Sequence, residues 1–446
     1  MPGGRETLLR PLRTTPGSFL RAPFQTRLGL AQPPTPVPKC ITFPSNLKLF
    51  PHFHIRKIPV MAAPRSKALQ NGAGTQWLTS GTPVQMAPEF INPGFLDPAG
   101  GTVRVDPALD QKLKGLLADL FANKPPFDKE PYKTFVASGA KLRVALVDLS
   151  SNAKLVFPQL AEFRSTVETE AASLAKIAAL YAAHQLRFDL NHEARQNPLS
   201  MTPNRLAGLR AIFDATQVGG APPVWSFDFN STLREKLKDL CHNCSSSIVI
   251  GRLGTTYISS VLRQSGLYDC RLGGLWMGTT YANQEEIRKE CPEVAKLNAQ
   301  LAHQLEPIGR RLFHGATALS AAAFFTLLAQ GRLVDDAACQ SMKDMLIQQM
   351  KDCESRFETG LTNAGIALDK VFSKIGVLPS KGHCSERGKP GTCFIHEAAL
   401  IERVHEKKRL RYVAAVLTES KPGDAANDLL KAIIVKLDEL IRKNNP

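Results

Sequence analysis

The apolar period of this chain changes from helical to alternating and back more than once, and the order of those changes restricts the folds open to it. Residues 107–122 carry Leu109, Leu113, Leu116, Leu117, Leu120 and Phe121 at helical spacing. Residues 141–149 (KLRVALVDL) then alternate, with Leu142, Val144 and Leu146 on one side, which predicts a strand closed by a turn at Ser150, Ser151 and Asn152. An Ala-rich run over 170–186, punctuated by Ile177, Leu180, Tyr181 and Leu186, predicts a buried helix. A helical block continues to about residue 360 and includes 320–328 and 337–351. Alternation returns at 371–378, 393–401 and 410–418, the last two joined by a charged turn at 405–409, before an amphipathic helix closes the chain over 425–442. Strands at both ends with helices between predict an α/β (α+β) fold: one antiparallel sheet assembled from both ends of the chain, flanked by helices, with an all-helical subdomain inserted. The expected division is a tail at 1–66, a linker at 67–105, an α/β part at 106–172 plus 365–446, and a helical part at 173–364.

Charge directs attention to the tail. The 446 residues carry a net charge of +16, which in other chains points to nucleic acid or an anionic surface. Residues 1–67 hold eleven Lys and Arg against the single acid Glu6, a balance of +10, so the other 379 residues carry only +6. The body has no Gly-rich phosphate loop and no aromatic residues interleaved with its basic ones, so no nucleic-acid partner is expected. Twelve prolines without apolar periodicity predict disorder over 1–66. The segment has no uninterrupted apolar core of a secretory signal. Its basic composition is also that of a transit peptide, and Met61 is an alternative start. An intracellular, cytoplasmic setting is the expectation. No apolar run approaches the roughly 20 residues of a membrane-spanning helix.

Three short patterns carry chemistry. Ser173-Leu174-Ala175-Lys176 places an amine three residues from a hydroxyl, on one helical face, where a desolvated lysine can take the proton that a serine nucleophile must lose. Ser45 to Lys48 and Ser151 to Lys154 repeat the spacing, but only Ser173 follows a strand and turn and opens an apolar helix. Cys241-His242-Asn243 precedes an apolar helix that ends at Leu253-Gly254, and Lys374-Ile375-Gly376 lies on the first late strand.

In this order the three resemble the Ser-x-x-Lys, Ser-x-Asn and Lys-[Ser/Thr]-Gly motifs of the serine β-lactamase and penicillin-binding (D-alanyl-D-alanine peptidase) superfamily, most nearly class A, over roughly 106–445. Residues 316–346, with a Gly331 to Leu333 turn, are similar to that family's paired helices. The resemblance implies an acyl-enzyme serine hydrolase. Ser173 would be the nucleophile, Lys176 its proton acceptor, and Asn243 and Lys374 would orient a small-molecule or peptide-like substrate. Cys241, Ile375, Gly376 and Val377 would line the substrate, and the amides of Ser173 and Val377 would form the oxyanion hole. No metal or organic cofactor is implied. Cys241 stands where the family has Ser, and Ile375 where it has a hydroxyl. Residues 268–282 contain no glutamate to activate a deacylating water, and Glu285 and Glu286 read as an exposed helix, so an acyl-enzyme is expected to persist. These departures leave a catalytically degenerate binding module as the alternative.

The nine cysteines show no regular framework and predict a mostly reduced chain. Cys241-x-x-Cys244 with Cys384 and Cys393, near His383, is a zinc or redox alternative, with ordinary loop cysteines the favoured reading. His396 is expected to be a satisfied edge-strand residue.

Overall fold

The structure, a computed structural model, describes residues 103–130, 132–220, 222–269, 273–278, 314–349, 353–378, 393–420 and 423–446. The tail at 1–66, nearly all of the linker, Glu285 and Glu286, and the loop with His383 and Cys384 lie outside the described residues.

The chain enters through strand β1 (Arg104–Val105) and helix α1 (Pro107–Phe121). Asp106 caps α1 by accepting from the Ala108 and Leu109 amides, and Pro107 occupies the first turn, where its missing N–H costs nothing. Helix α2 (Tyr132–Ala137), β2 (Lys141–Asp148), the short α3 (Asn152–Val156) and β3 (Gln159–Phe163) follow. After β4 (Thr169–Glu170) comes a 3-10 turn over Ala172–Ala175, which runs into α4 (Lys176–Gln196). The insert continues with α5 (Pro203–Leu209), the hairpin β5 (Phe213–Val218) and β6 (Val224–Phe229), then α6 (Ser231–Lys238), α7 (Asn243–Leu253) and α8 (Thr255–Gln264). Two-residue strands β7 (Tyr268–Asp269), β8 (Gly273–Gly274) and β9 (Gly315–Ala316) lead to α9 (Ala318–Ala329), α10 (Asp336–Gln349) and α11 (Arg356–Asn363). Strands β10 (Lys370–Leu378), β11 (Cys393–His405) and β12 (Lys408–Ser420) and helix α12 (Gly423–Asn444) complete the chain.

Both chain ends meet in one six-stranded sheet, ordered β1-β3-β2-β12-β11-β10. Its pairs are antiparallel except β1 with β3, which is parallel, so the sheet is mixed at that edge. Strand alternation sorts its side chains onto two cores. Leu142, Val144 and Leu146 of β2, with Tyr412, Ala414 and Val416 of β12, pack against Leu109, Leu113 and Leu117 of α1 and Leu429, Ile433 and Leu437 of α12. Ala145, Val147, Val413, Ala415 and Leu417 face the other way, into the core formed with α4 and α9. Each fully buried leucine or isoleucine contributes about 1.5–3 kcal/mol, so the sheet is anchored from both sides.

Three expectations change. The insert is not all helical, because residues 213–229 form a hairpin. The turn between the long late strands is tighter than 405–409: His405 pairs with Lys408, leaving Glu406 and Lys407 with φ of 48° and 69°, the positive pair of a two-residue hairpin. The helix expected from residue 170 begins at Lys176, because Glu170 pairs with Gly315 and Ala172 adopts φ +48°, which no right-handed helix accommodates.

Candidate active site

The first motif sits where the chain turns from β4 into the insert. Ala171 donates its amide to the His314 carbonyl at 3.0 Å, and Leu174 donates to the Ala171 carbonyl at 3.1 Å. Between them Ala172 holds its left-handed backbone, unusual for a residue with a β-carbon. Ser173 follows, half-buried, within the 3-10 turn. Side chains three apart eclipse in that geometry, so Lys176 shares the face of Ser173. The other described copy of the spacing is structural. Ser151 caps α3, and the Lys154 ammonium is 2.7 Å from the Asp148 carboxylate.

Lys176 is fully buried, and its Nζ donates to the Asn243 Oδ1 and to the Cys241 carbonyl, each at 2.9 Å. Burial lowers its pKa from the usual lysine value to about 7, with the Asp239 carboxylate opposing. Asp239 is itself held by His242 and by the Ser245 hydroxyl at 2.5 Å, which fixes the loop into α7. Asn243 is the first residue of α7, so one helix start presents the acceptor that the lysine needs.

Cys241 departs from expectation. Its sulfur forms a disulfide with Cys353, with Cα atoms 6.2 Å apart, so it supplies no thiol to a substrate; its backbone carbonyl reaches the site instead. Cys244 and Cys393 are also disulfide-bonded, and Cys339 is a buried free thiol. The expectation of a mostly reduced chain therefore fails at these four positions. A sulfur already bonded to another sulfur is not a zinc-binding thiolate.

Lys374 and Gly376 come to the same place on β10, an edge strand of the sheet. A β-carbon on Gly376 would stand 2.7 Å from the Ala171 carbonyl and 2.9 Å from the Leu174 amide, so only glycine lets the strand lie against the turn. Lys374 is buried; desolvation first, then the nearby Lys176, hold its pKa well below the lysine range while Glu397 opposes. The pleat puts Ile375 on the face opposite to Lys374, across from Glu397, and half-buried Val377 follows Gly376.

The surrounding frame contains residues that periodicity does not single out. Glu397 is wholly buried and accepts from the Ser355 hydroxyl, the Ser373 hydroxyl at 2.9 Å, and the Arg356 and Phe357 amides at 2.8 and 3.2 Å. It thus joins the start of α11 to the neighbour of Lys374. His396 accepts the Thr418 amide on Nδ1 and donates from Nε2 to the Glu170 carbonyl at 2.7 Å. It is satisfied, as expected, but on β11, an interior strand. The available signal for the α11 junction is Ser355 three residues before Glu358, a helix-start pattern.

A family model described as the β-lactamase enzyme family matches residues 131–439, more than half of the chain and all three motifs. The chain belongs to the β-lactamase enzyme family. No curated protein matches it. Similar solved structures include a β-lactamase from Sphaerobacter thermophilus, 15% identical over 73% of this chain and 95% of that one, with a TM-score of 0.41. A β-lactamase from Xanthomonas campestris is 15% identical over 75% and 98%, with a TM-score of 0.42. A class A β-lactamase representative from Bacteroides cellulosilyticus is 15% identical over 74% and 96%, with a TM-score of 0.42. The family assignment rests on the family match and not on these scores. Residues of all three motifs meet in this structure: Lys176 donates to Asn243, and Gly376 on the strand of Lys374 lies against the turn of Ser173. Cys241, held in its disulfide, and Ile375 stand where the general motif pattern has a hydroxyl side chain. Among the described residues, no helix is long and apolar enough to cross a membrane.

Proposed function

We propose that the protein is a serine hydrolase of the β-lactamase type that works through a covalent acyl-enzyme. The observation that carries this reading is Lys176: a buried amine, poised near pH 7, three residues after Ser173 and oriented by Asn243. A neutral amine at that pH is a competent proton acceptor. Ser173 Oγ attacks an ester or amide carbonyl as Lys176 takes its proton. The Ser173 and Val377 amides stabilise the oxyanion, and the proton returns to the leaving group. Lys374 orients a small or peptide-like substrate. Ile375 removes the hydroxyl that would help hold a carboxylate, which argues for an ester or amide other than a β-lactam. Residues 268–282 offer no glutamate for water activation, so deacylation is slow.

The second reading, a catalytically degenerate binding module, is favoured by one observation: the second motif's side chain is committed to the Cys241–Cys353 disulfide. Hydrolysis of p-nitrophenyl esters decides between the two. Loss of turnover in Ser173→Ala supports the hydrolase, and unchanged turnover refutes the assignment of Ser173.

A further inference from the structure

A cleft of about 310 Å³ opens between α6, α10 and the end of β6, bordered on α4 by Arg187. At the rise of an α-helix Arg187 lies about 16 Å along α4 from Lys176, so the cleft is separate from the three motifs. Its volume falls at the low end of the roughly 300–1,000 Å³ of small-molecule sites. Phe229 and Met345, both buried, supply the apolar part of its lining. Beyond α6 and α10 the chain is cross-linked through Cys241 and Cys353. The two helices that wall the cleft are thereby tied to each other, which holds its shape before a ligand arrives.

The walls carry opposite charges. Arg187 from α4, with Arg234 and Lys238 from α6, lines one side. Asp228 accepts from Arg187 at 3.1 Å and from Arg234 at 2.8 Å, so one carboxylate answers two guanidiniums and a positive charge is left over. Lys238 is answered by Glu235 at 3.1 Å. A guanidinium has five N–H donors, so both arginines keep further ones for a ligand. On α10, Ser341 and Asp344 stand three residues apart on one face, and both are acceptors. Asp344 takes the Gln340 amide on Oδ1 at 2.8 Å, which leaves Oδ2. The role of Ser341 follows from His184, which is wholly buried. Its Nδ1 donates to the Leu180 carbonyl at 3.0 Å, since a carbonyl can only accept, and Nε2 therefore accepts the Ser341 hydroxyl proton at 3.1 Å. Burial keeps that ring neutral, with its pKa lowered to about 3. With its proton committed inward, Ser341 has only lone pairs for a ligand.

We propose that this cleft binds a small zwitterion, an amino acid or short peptide with an apolar side chain. Arg187 and Arg234 hold its carboxylate, Asp344 and Ser341 hold its ammonium, and Phe229 and Met345 receive the side chain. A plain anion would meet Asp344, and a plain cation would meet three basic side chains; a molecule with both charges suits both walls. The site does not depend on the reading of Ser173 as a nucleophile.

The test is calorimetric titration of the full chain at pH 7 with L-leucine and with the dipeptide glycyl-leucine, beside N-acetyl-leucine, leucinamide and inorganic phosphate. At least one zwitterion is expected to bind saturably, and blocking either of its charges to weaken binding on the order of 10- to 100-fold. Preference for leucine identifies a single amino acid as the ligand, and preference for glycyl-leucine a peptide; either supports the site. Arg234→Ala is expected to weaken binding of the zwitterion by a similar factor. So is Asp344→Asn, which changes an exposed side chain and decides the matter alone if Arg234→Ala does not fold. N-acetyl-leucine, which has no ammonium, is expected to bind Asp344→Asn at least as well as it binds the wild type. Ser173→Ala is expected to bind the zwitterion like the wild type, and loss of binding there would move the ligand to the motif site and overturn the inference. Phosphate or N-acetyl-leucine binding the wild type as tightly as the zwitterions would make the cleft a plain anion site and overturn it too. So would unchanged affinity in both cleft variants, or no saturable binding of either zwitterion at millimolar concentration.

Discussion

Lys176 Nζ donates to the Asn243 side-chain oxygen at 2.9 Å, in a position fully closed to solvent. That contact joins the start of α4 to the start of α7, and its consequences are measurable in both pH dependence and stability.

Lys176 titrates at about 7 in the folded protein, against 10.5 unperturbed. Acylation by an ester or fluorophosphonate is therefore expected to accelerate as pH rises through 7 and then level off. Between about 7 and 10.5 the folded chain binds fewer protons at this site than the unfolded chain, so this site's contribution to stability rises with pH across that window. Below 7 both states carry the charge, and the full cost of burying it applies. Lys176→Met is accordingly expected to be inactive and to raise the melting temperature most at pH 7 and below. A melting curve less stable than wild type at pH 6 would count against the buried amine.

Gly376→Ala places a methyl group against the Ala171 carbonyl and the Leu174 amide. A steric insertion of this kind costs about 1–3 kcal/mol. Because the clash is with the turn that carries Ser173, acylation is expected to fall further than stability does. Thermal denaturation and labelling kinetics on the same preparation separate the two effects.

The Cys241–Cys353 disulfide fixes a carbonyl that accepts from Lys176. Cys353→Ser is expected to cost about 2–4 kcal/mol and to slow labelling, since the carbonyl loses its tether. Peptide mapping without reductant is expected to yield the 241–353 cross-linked pair. Recovery of both cysteines as alkylated free thiols would contradict the arrangement.

Glu397→Gln leaves four donors competing for a neutral amide that also brings two hydrogens of its own into a buried site. The expected loss is about 1–3 kcal/mol, read as a lower denaturation midpoint.

Much of the fold is legible in periodicity because the sheet is buried on both faces and its strands alternate cleanly between two cores, as Leu142, Val144 and Leu146 do. The start of α4 is not legible: Glu170 to Ala175 has the composition of a helix, and only its pairing with Gly315 and the fit of Gly376 over Ala171 impose the turn. The motifs single out Ser173, Lys176, Asn243, Lys374 and Gly376 as candidates. Spacing does not show that Cys241 is bonded to Cys353, more than a hundred residues away, because a disulfide depends on Cα separation in space. Nor does a lone Glu397 beside His396 reveal that it gathers Ser355, Arg356, Phe357 and Ser373, which belong to other elements.

The central claim is that Ser173 forms the covalent bond. Peptide mapping by mass spectrometry after incubation with a fluorophosphonate tests it most directly. The expected result is one adduct per chain, on the peptide containing Ser173, absent from Ser173→Ala and slowed in Lys176→Met. An adduct on another residue, or labelling that survives Ser173→Ala, would contradict the account.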